Sequence, residues 1–230
     1  MSNMLHGSTF FCMAISLFGY EAGIFLRKKL KIGIFNPLLV SIVFVIIVLK
    51  VTGIDYDTYD KGANVLSYLL TPSTVCLAIP LYQQMNLLKK NLKAIIAGIT
   101  TGVFVSLAGV WVFSMLFHLK KQFYVTLLPK SITTAIGMGI SEELGGIVTI
   151  TVAVIIITGV LGNMIAEVVY KIAKIEEPIA RGLGLGTSAH AIGTAKAMEL
   201  GPVEGAMSSL AIAVAGLLTV VGASVFAGMM

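Results

Sequence analysis

The sequence predicts an all-α, polytopic membrane protein with internal repeats and three discontinuous or re-entrant helical segments, arranged like a secondary transporter. Three observations predict it. Composition is the first: 57% of the 230 residues are hydrophobic and only 12% are charged, about half the charge of an ordinary soluble domain. The second is the recurrence of unbroken apolar runs long enough to cross about 30 Å of hydrocarbon. The third is a pattern that occurs three times inside such runs: Leu70-Thr71-Pro72-Ser73-Thr74-Val75-Cys76-Leu77-Ala78-Ile79-Pro80, then Leu128-Pro129-Lys130-Ser131-Ile132-Thr133-Thr134-Ala135-Ile136-Gly137, then Leu185-Gly186-Thr187-Ser188-Ala189-His190-Ala191-Ile192-Gly193. Each copy closes on Ala-Ile followed by Pro or Gly, with Thr74, Ser131 or Thr187 four residues before that alanine. Pro, Gly and clustered hydroxyls interrupt a membrane helix, and an interrupted helix exposes backbone dipoles that hold ions and small polar solutes.

Eight apolar segments follow in order, at roughly 8–26, 33–52, 63–88, 92–117, 123–144, 147–170, 182–203 and 205–229. The first ends at Arg27-Lys28-Lys29 without a basic stretch ahead of it, and reads as a retained helix rather than a cleaved signal. Segments 33–52 and 147–170 are rich in Val and Ile, but their length and lack of turn residues favour spanning helices over strands. The triplicated pattern falls in segments three, five and seven, and a smooth helix follows each copy. Copies two and three align without a gap from Ala135 to Gly145 and from Ala191 to Gly201. One integral domain over 1–230 is expected, with possible repeat halves 1–120 and 121–230.

Charge sets the orientation. Arg27, Lys28, Lys29 and Lys31; Lys89, Lys90 and Lys93; and Lys171, Lys174 and Arg181 form three clusters between apolar spans, each of the kind that marks a cytoplasmic loop. With the first two clusters inside, the loop at 118–122 lies outside, and two full crossings from that loop leave the third cluster outside as well. One resolution places Lys120 and Lys121 inside, with an earlier segment re-entrant. The favoured one is a re-entrant or broken hairpin at 123–144, which contains Pro129, Gly137 and Gly139. The formal net charge of +5 is explained by contact with anionic lipid headgroups, and no nucleic-acid partner is expected.

The hydroxyls head the candidate site: Thr71, Ser73 and Thr74; Ser131, Thr133 and Thr134; Thr187, Ser188 and Thr194. Where a helix restarts, free N–H groups and the positive dipole end favour an anion, and hydroxyls complete its hydrogen bonds. The rival reading has these side chains bonding to their own helix backbone. Lys130 either neutralises a bound carboxylate or snorkels to the interface. His190 either serves the solute, as donor or proton carrier, or is structural. Glu143, Glu199 and Glu204 are candidates for a coupling ion, against a plainer place at segment ends in headgroup water. Gly19 and Gly23 around Glu21, and Gly98 with Gly102, read as close helix packing. Cys12 and Cys76, both in apolar segments, read as small buried hydrophobes.

No enzyme motif stands out. Gly186-Thr187-Ser188-Ala189-His190 lacks the final glycine of a nucleophile elbow, and Gly182-Leu183-Gly184-Leu185-Gly186 lacks the strand–helix setting of a dinucleotide fingerprint. Three scattered histidines give no zinc spacing. No cofactor and no metal are expected.

Several stretches together resemble the LrgB/CidB family of bacterial membrane proteins over nearly the whole chain: Asn36-Pro37-Leu38-Leu39-Val40; Pro72 through Tyr82; Leu128-Pro129-Lys130-Ser131 with Thr133-Thr134; Gly145-Gly146-Ile147; and Gly186 through Ala195 with Glu199, Glu204-Gly205-Ala206 and Ser208-Ser209-Leu210-Ala211. Ala135 departs from the proline that several relatives carry there. The resemblance implies a multi-pass protein of the bacterial cytoplasmic (inner) membrane, with a small LrgA/CidA-type membrane partner. It also implies two functions. One is transport of small organic acids such as pyruvate, glycolate or glycerate. The other is holin/antiholin-like control of murein hydrolase export and lysis. The expected partners are a small carboxylate substrate, the lipid bilayer and a second copy of the chain in a homodimer, because a short carrier gains a rigid frame from a partner surface.

Overall fold

The computed structural model describes residues 8–30 and 37–230; Lys31 and Asn36 lie outside them, as does the side chain of Thr74. The described chain is helical without strands, and five helices are long and apolar enough to cross a membrane: Thr9–Leu30, Tyr56–Gln83, Leu92–Leu116, Val148–Ile172 and Pro202–Ala227. This is an all-α polytopic membrane protein. It packs as two compact units, the first ending at Cys76 and the second running Leu77–Met230, so position 120–121 falls inside the second unit.

In the first unit, α1 (Thr9–Leu30) and α2 (Pro37–Thr52) pack together. Glycine makes this approach possible: a Cβ on Gly19 would lie 2.9 Å from Phe44, and one on Gly23 would lie 2.6 Å from the Pro37 backbone. Glu21 is exposed between them, so the Gly-Glu-Gly spacing serves packing. α3 (Tyr56–Tyr68) joins α1 through a 2.8 Å hydrogen bond between the Tyr59 and Ser16 hydroxyls. α4 (Leu70–Cys76) carries the first copy of the pattern. The expected break is weak here, because Leu69 and Leu77 both keep right-handed helical dihedrals. Cys76 is exposed, not buried as expected, whereas Cys12 is buried.

In the second unit, short helices α5 (Ala78–Gln83) and α6 (Met85–Lys90) lead into α7 (Leu92–Leu116). Then come α8 (Lys121–Leu127), α9 (Thr134–Glu143), α10 (Val148–Ile172), α11 (Pro178–Leu200) and α12 (Pro202–Ala227). One stripe of α7, at Ile95, Ile99, Val103, Leu107 and Val110, is buried with Met207, Ala211, Ala215 and Ala223 of α12. Its spacing of three and four residues is that of one helix face. Phe104, Ile157, Leu161, Leu217 and Val221 are exposed, an apolar outer surface suited to lipid.

Candidate functional site

The segment 123–144 is a re-entrant hairpin, the resolution of the charge conflict that the sequence favours. α8 has 7 residues and α9 has 10, spanning about 10 and 15 Å at 1.5 Å per residue, each far short of a bilayer core. Hydroxyls tie the last turn of α8 to the C-terminal end of α9 and the first turn of α10. Thr151 Oγ1 donates to Ser141 Oγ at 2.7 Å and lies 2.9 Å from the Thr126 carbonyl, while Thr126 Oγ1 accepts from the Ile147 N–H at 2.8 Å. Gly145 closes the hairpin with φ +76°, a left-handed turn that glycine makes without a Cβ clash. At the tip, Pro129 to Thr133 is non-helical. Thr133 is extended (φ −64°, ψ 145°) and caps α9 without a side-chain hydrogen bond.

Segment seven, one of the three segments the repeated pattern marks as discontinuous or re-entrant, is a second hairpin. His190 stands inside α11 with φ 42° and ψ −133°, and the chain reverses there. The contacts along α10 trace the reversal. Tyr170 OH donates to the Arg181 carbonyl at the start of the first arm, at 2.7 Å. Gly162 then meets Ala189 and Gly159 meets His190. Past the turn the order runs back, with Asn163 Nδ2 donating to the Ile192 carbonyl at 3.1 Å and Glu167 paired with Lys196. The arms touch through glycine: a Cβ on Gly193 would lie 2.5 Å from the Leu185 carbonyl oxygen. On the first arm, Gly182 lies against Glu204 and Gly186 against Ser208 and Ala211, so the hairpin also seats on α12.

Both tips reach Ile155 of α10. Ile155, fully buried, meets Gly137 of the first hairpin with its side chain, and its carbonyl accepts from His190 Nε2 of the second at 3.0 Å. Ile155 lies about 10 Å along the 25-residue α10. α7 links the tips as well. Thr187 packs on Gly102, and Ser106, one turn on, makes a 3.0 Å hydrogen bond with Ser131. The two hairpins enter from opposite ends of α10. The pair of units, hairpin plus spanning helix, is therefore inverted, which is how repeats with one crossing each must alternate.

The predicted residues now sort by partner. Ser131 is buried at the first tip, where the half-buried Lys130 donates to its hydroxyl at 3.1 Å. Lys130 has no carboxylate partner among the described residues. Thr133 and Thr134 stand half-buried beside them. Thr187 and Ser188 donate to the Leu183 and Gly184 carbonyls of their own helix at 2.8 and 2.6 Å. Thr194 shares a 2.7 Å hydrogen bond with Ser208. His190 is buried and bonded to Ile155, a structural setting for its imidazole. Glu143 is exposed, Glu199 pairs with buried Lys196, and Glu204 is buried in the first turn of α12. Thr71 and Ser73 belong to the first unit, both exposed, and Ser73 donates to its own helix at Leu69. Ser106 is the site residue that the sequence did not reveal, and no group of three His, Cys, Asp or Glu side chains able to hold a metal occurs among the described residues.

A family model described as the LrgB-like family matches residues 16–229. The chain belongs to this family. It is 38% identical over 220 residues to the antiholin-like protein LrgB of Bacillus subtilis (strain 168), an alignment that covers 95% of each chain. No solved structure matches it. For this LrgB-like chain, the paired hairpins supply the setting in which the family's motifs at 128–134 and 186–195 come together.

Proposed function

We propose that this chain carries small organic acid anions of the pyruvate, glycolate or glycerate type across the bacterial cytoplasmic membrane by alternating access. The observation that carries the reading is Lys130. A lysine inside the apolar span costs up to several kcal/mol unless something compensates it, roughly 3 at the bilayer centre on insertion scales. Here it sits at the tip of a re-entrant hairpin, bonded to Ser131 and lacking a carboxylate. A substrate carboxylate would supply the missing charge, with Ser131, Ser106, Thr133 and Thr134 as its hydrogen-bonding neighbours. The uncapped N-terminus of α9 adds the positive end of a helix dipole. Glu204, Glu199 and Glu143 are the acids we assign to any coupled proton or cation, and a homodimer with a small membrane partner is the assembly we assign to it.

Uptake of labelled pyruvate or glycolate into proteoliposomes tests this. Lys130→Gln and Ser131→Ala should each lower saturable uptake at least about ten-fold, the effect of losing a charge-assisted hydrogen bond, with the protein still assembled. Undiminished uptake in both variants removes the site. The second reading, antiholin-like regulation of murein hydrolase activity, is favoured by the name of the Bacillus subtilis relative. It accounts for the kinship but leaves the half-buried Lys130 without a role.

A further inference from the structure

We infer that the loop between α10 and α11 forms a second anion site, separate from the hairpin tips, which takes a phosphate group. A cavity of about 340 Å³ opens there, lined by Lys171, Lys174, Arg181, Tyr170, Glu167 and Glu176. Its charge is unbalanced. Lys171, Lys174 and Arg181 form no ion pair among the described residues, and they outnumber the two carboxylates of the lining, of which Glu167 also pairs with buried Lys196. Arg181 is held in place rather than free to swing: its Nε donates to the Ile175 carbonyl at 2.8 Å, and its guanidinium lies 5.9 Å from the Tyr170 ring centre. The Tyr170 hydroxyl in turn donates to the Arg181 carbonyl at 2.7 Å. These contacts leave the terminal guanidinium nitrogens for a ligand, in the planar fork that suits phosphate oxygens.

The backbone gives an independent observation. α10 ends in a Schellman motif, with Ile175 N–H donating to the Tyr170 carbonyl at 2.9 Å and Lys174 N–H to the Lys171 carbonyl at 3.4 Å. Lys174 holds the left-handed position of that motif, with φ 54°. Glycine adopts this conformation freely and lysine does not. A lysine kept in strained backbone at the rim of a cation-lined cavity points to use of its side chain. A phosphate can come from an anionic lipid headgroup or from solution, and both present the same oxygens.

The full chain, purified in detergent, tests the site. Native mass spectrometry would read retention of phosphatidylglycerol over phosphatidylcholine from mixed micelles, and equilibrium dialysis would read binding of inorganic phosphate. We expect selective retention of phosphatidylglycerol. If phosphate binds saturably and displaces the lipid, the group itself is recognised; if only the lipid binds, the headgroup is the ligand. Lys174→Gly should weaken binding about ten-fold while melting no lower than wild type, because it relieves the backbone as it removes the charge. Lys171→Gln should weaken binding similarly, and the control Lys89→Gln should not. Equal retention of both lipids without phosphate binding, or an equal loss in Lys89→Gln, overturns the proposal.

Discussion

At the scale of the residue, two glycines in the hairpins make opposite predictions. A Cβ on Gly193 would lie 2.5 Å from the Leu185 carbonyl oxygen, a backbone atom that cannot swing aside. Gly193→Ala should therefore force the arms of the second hairpin apart and destabilise the protein by about 1–3 kcal/mol, the usual cost of overpacking. Gly139 lies within α9, where a Cβ would meet nothing within 4 Å. Gly139→Ala should stabilise by about 0.5–1 kcal/mol, because alanine loses less backbone freedom on entering a helix. Thermal melts in one detergent should move down for the first variant and up for the second. A shift in the same direction for both would mean that the arms are not in close contact. Not every residue-level feature was legible in the sequence. Pro129, Lys130 and Ser131 stand out as polar and helix-breaking residues in an apolar run. Ser106 does not, because it sits in a smooth apolar helix and becomes a site residue only when the first hairpin folds back onto α7.

At the scale of the element, a re-entrant hairpin differs from a crossing helix in where its ends emerge. In a background with Cys12→Ser and Cys76→Ser, single cysteines at Lys121 and Glu143 should react with a membrane-impermeant thiol reagent from one face. Cysteines at Glu177 and Pro202 should both react from the opposite face. Labelling of either pair from opposite faces would turn that hairpin into a crossing and undo the inverted repeat. The first hairpin was legible because the cation clusters at Lys89–Lys93 and Lys171–Arg181 share one side only with an even number of crossings between them, whereas three apolar segments intervene, and because proline marks its tip. The repeated pattern marked the second as discontinuous or re-entrant without deciding between the two. Its tip carries no proline, and its reversal at His190 depends on tertiary contacts: the closeness of Gly193 to Leu185, of Gly159 to His190 and of Gly186 to α12. Small residues in this segment are as consistent with a tightly packed crossing helix, and only the facing helices decide. The first copy shows the converse. Pro72 and Pro80 predict a break, yet Leu69 and Leu77 remain in helical dihedrals, since proline in the first turn of a short helix removes no hydrogen bond that would otherwise form.

At the scale of the whole molecule, the two functional readings require different interiors. A lesion that releases macromolecules needs a wide wall of polar side chains facing water. The second unit instead has a packed centre, with Leu128, Ile155 and Leu185 almost fully buried and hairpin tips meeting over Ile155 from both directions. Several of its buried hydroxyls bond within the protein, as Thr151 does with Ser141 and Thr194 with Ser208, which leaves the polar groups at the first tip for one small solute at a time. Liposomes containing the purified chain should therefore take up small carboxylates with saturable kinetics while retaining an entrapped dye of several hundred daltons. Oxidative cross-linking of a Ser106→Cys/Ser131→Cys variant, whose parent hydroxyls are 3.0 Å apart, should fix the first tip to α7. Uptake should then fall at least about ten-fold below that of the reduced double variant, the span of 1.4 kcal/mol in an activation barrier, and return to that level on reduction. Uptake that persists through the cross-link would show that the tip does not move during transport. Escape of the dye, with no saturation of carboxylate flux, would favour a lesion-forming assembly over a carrier.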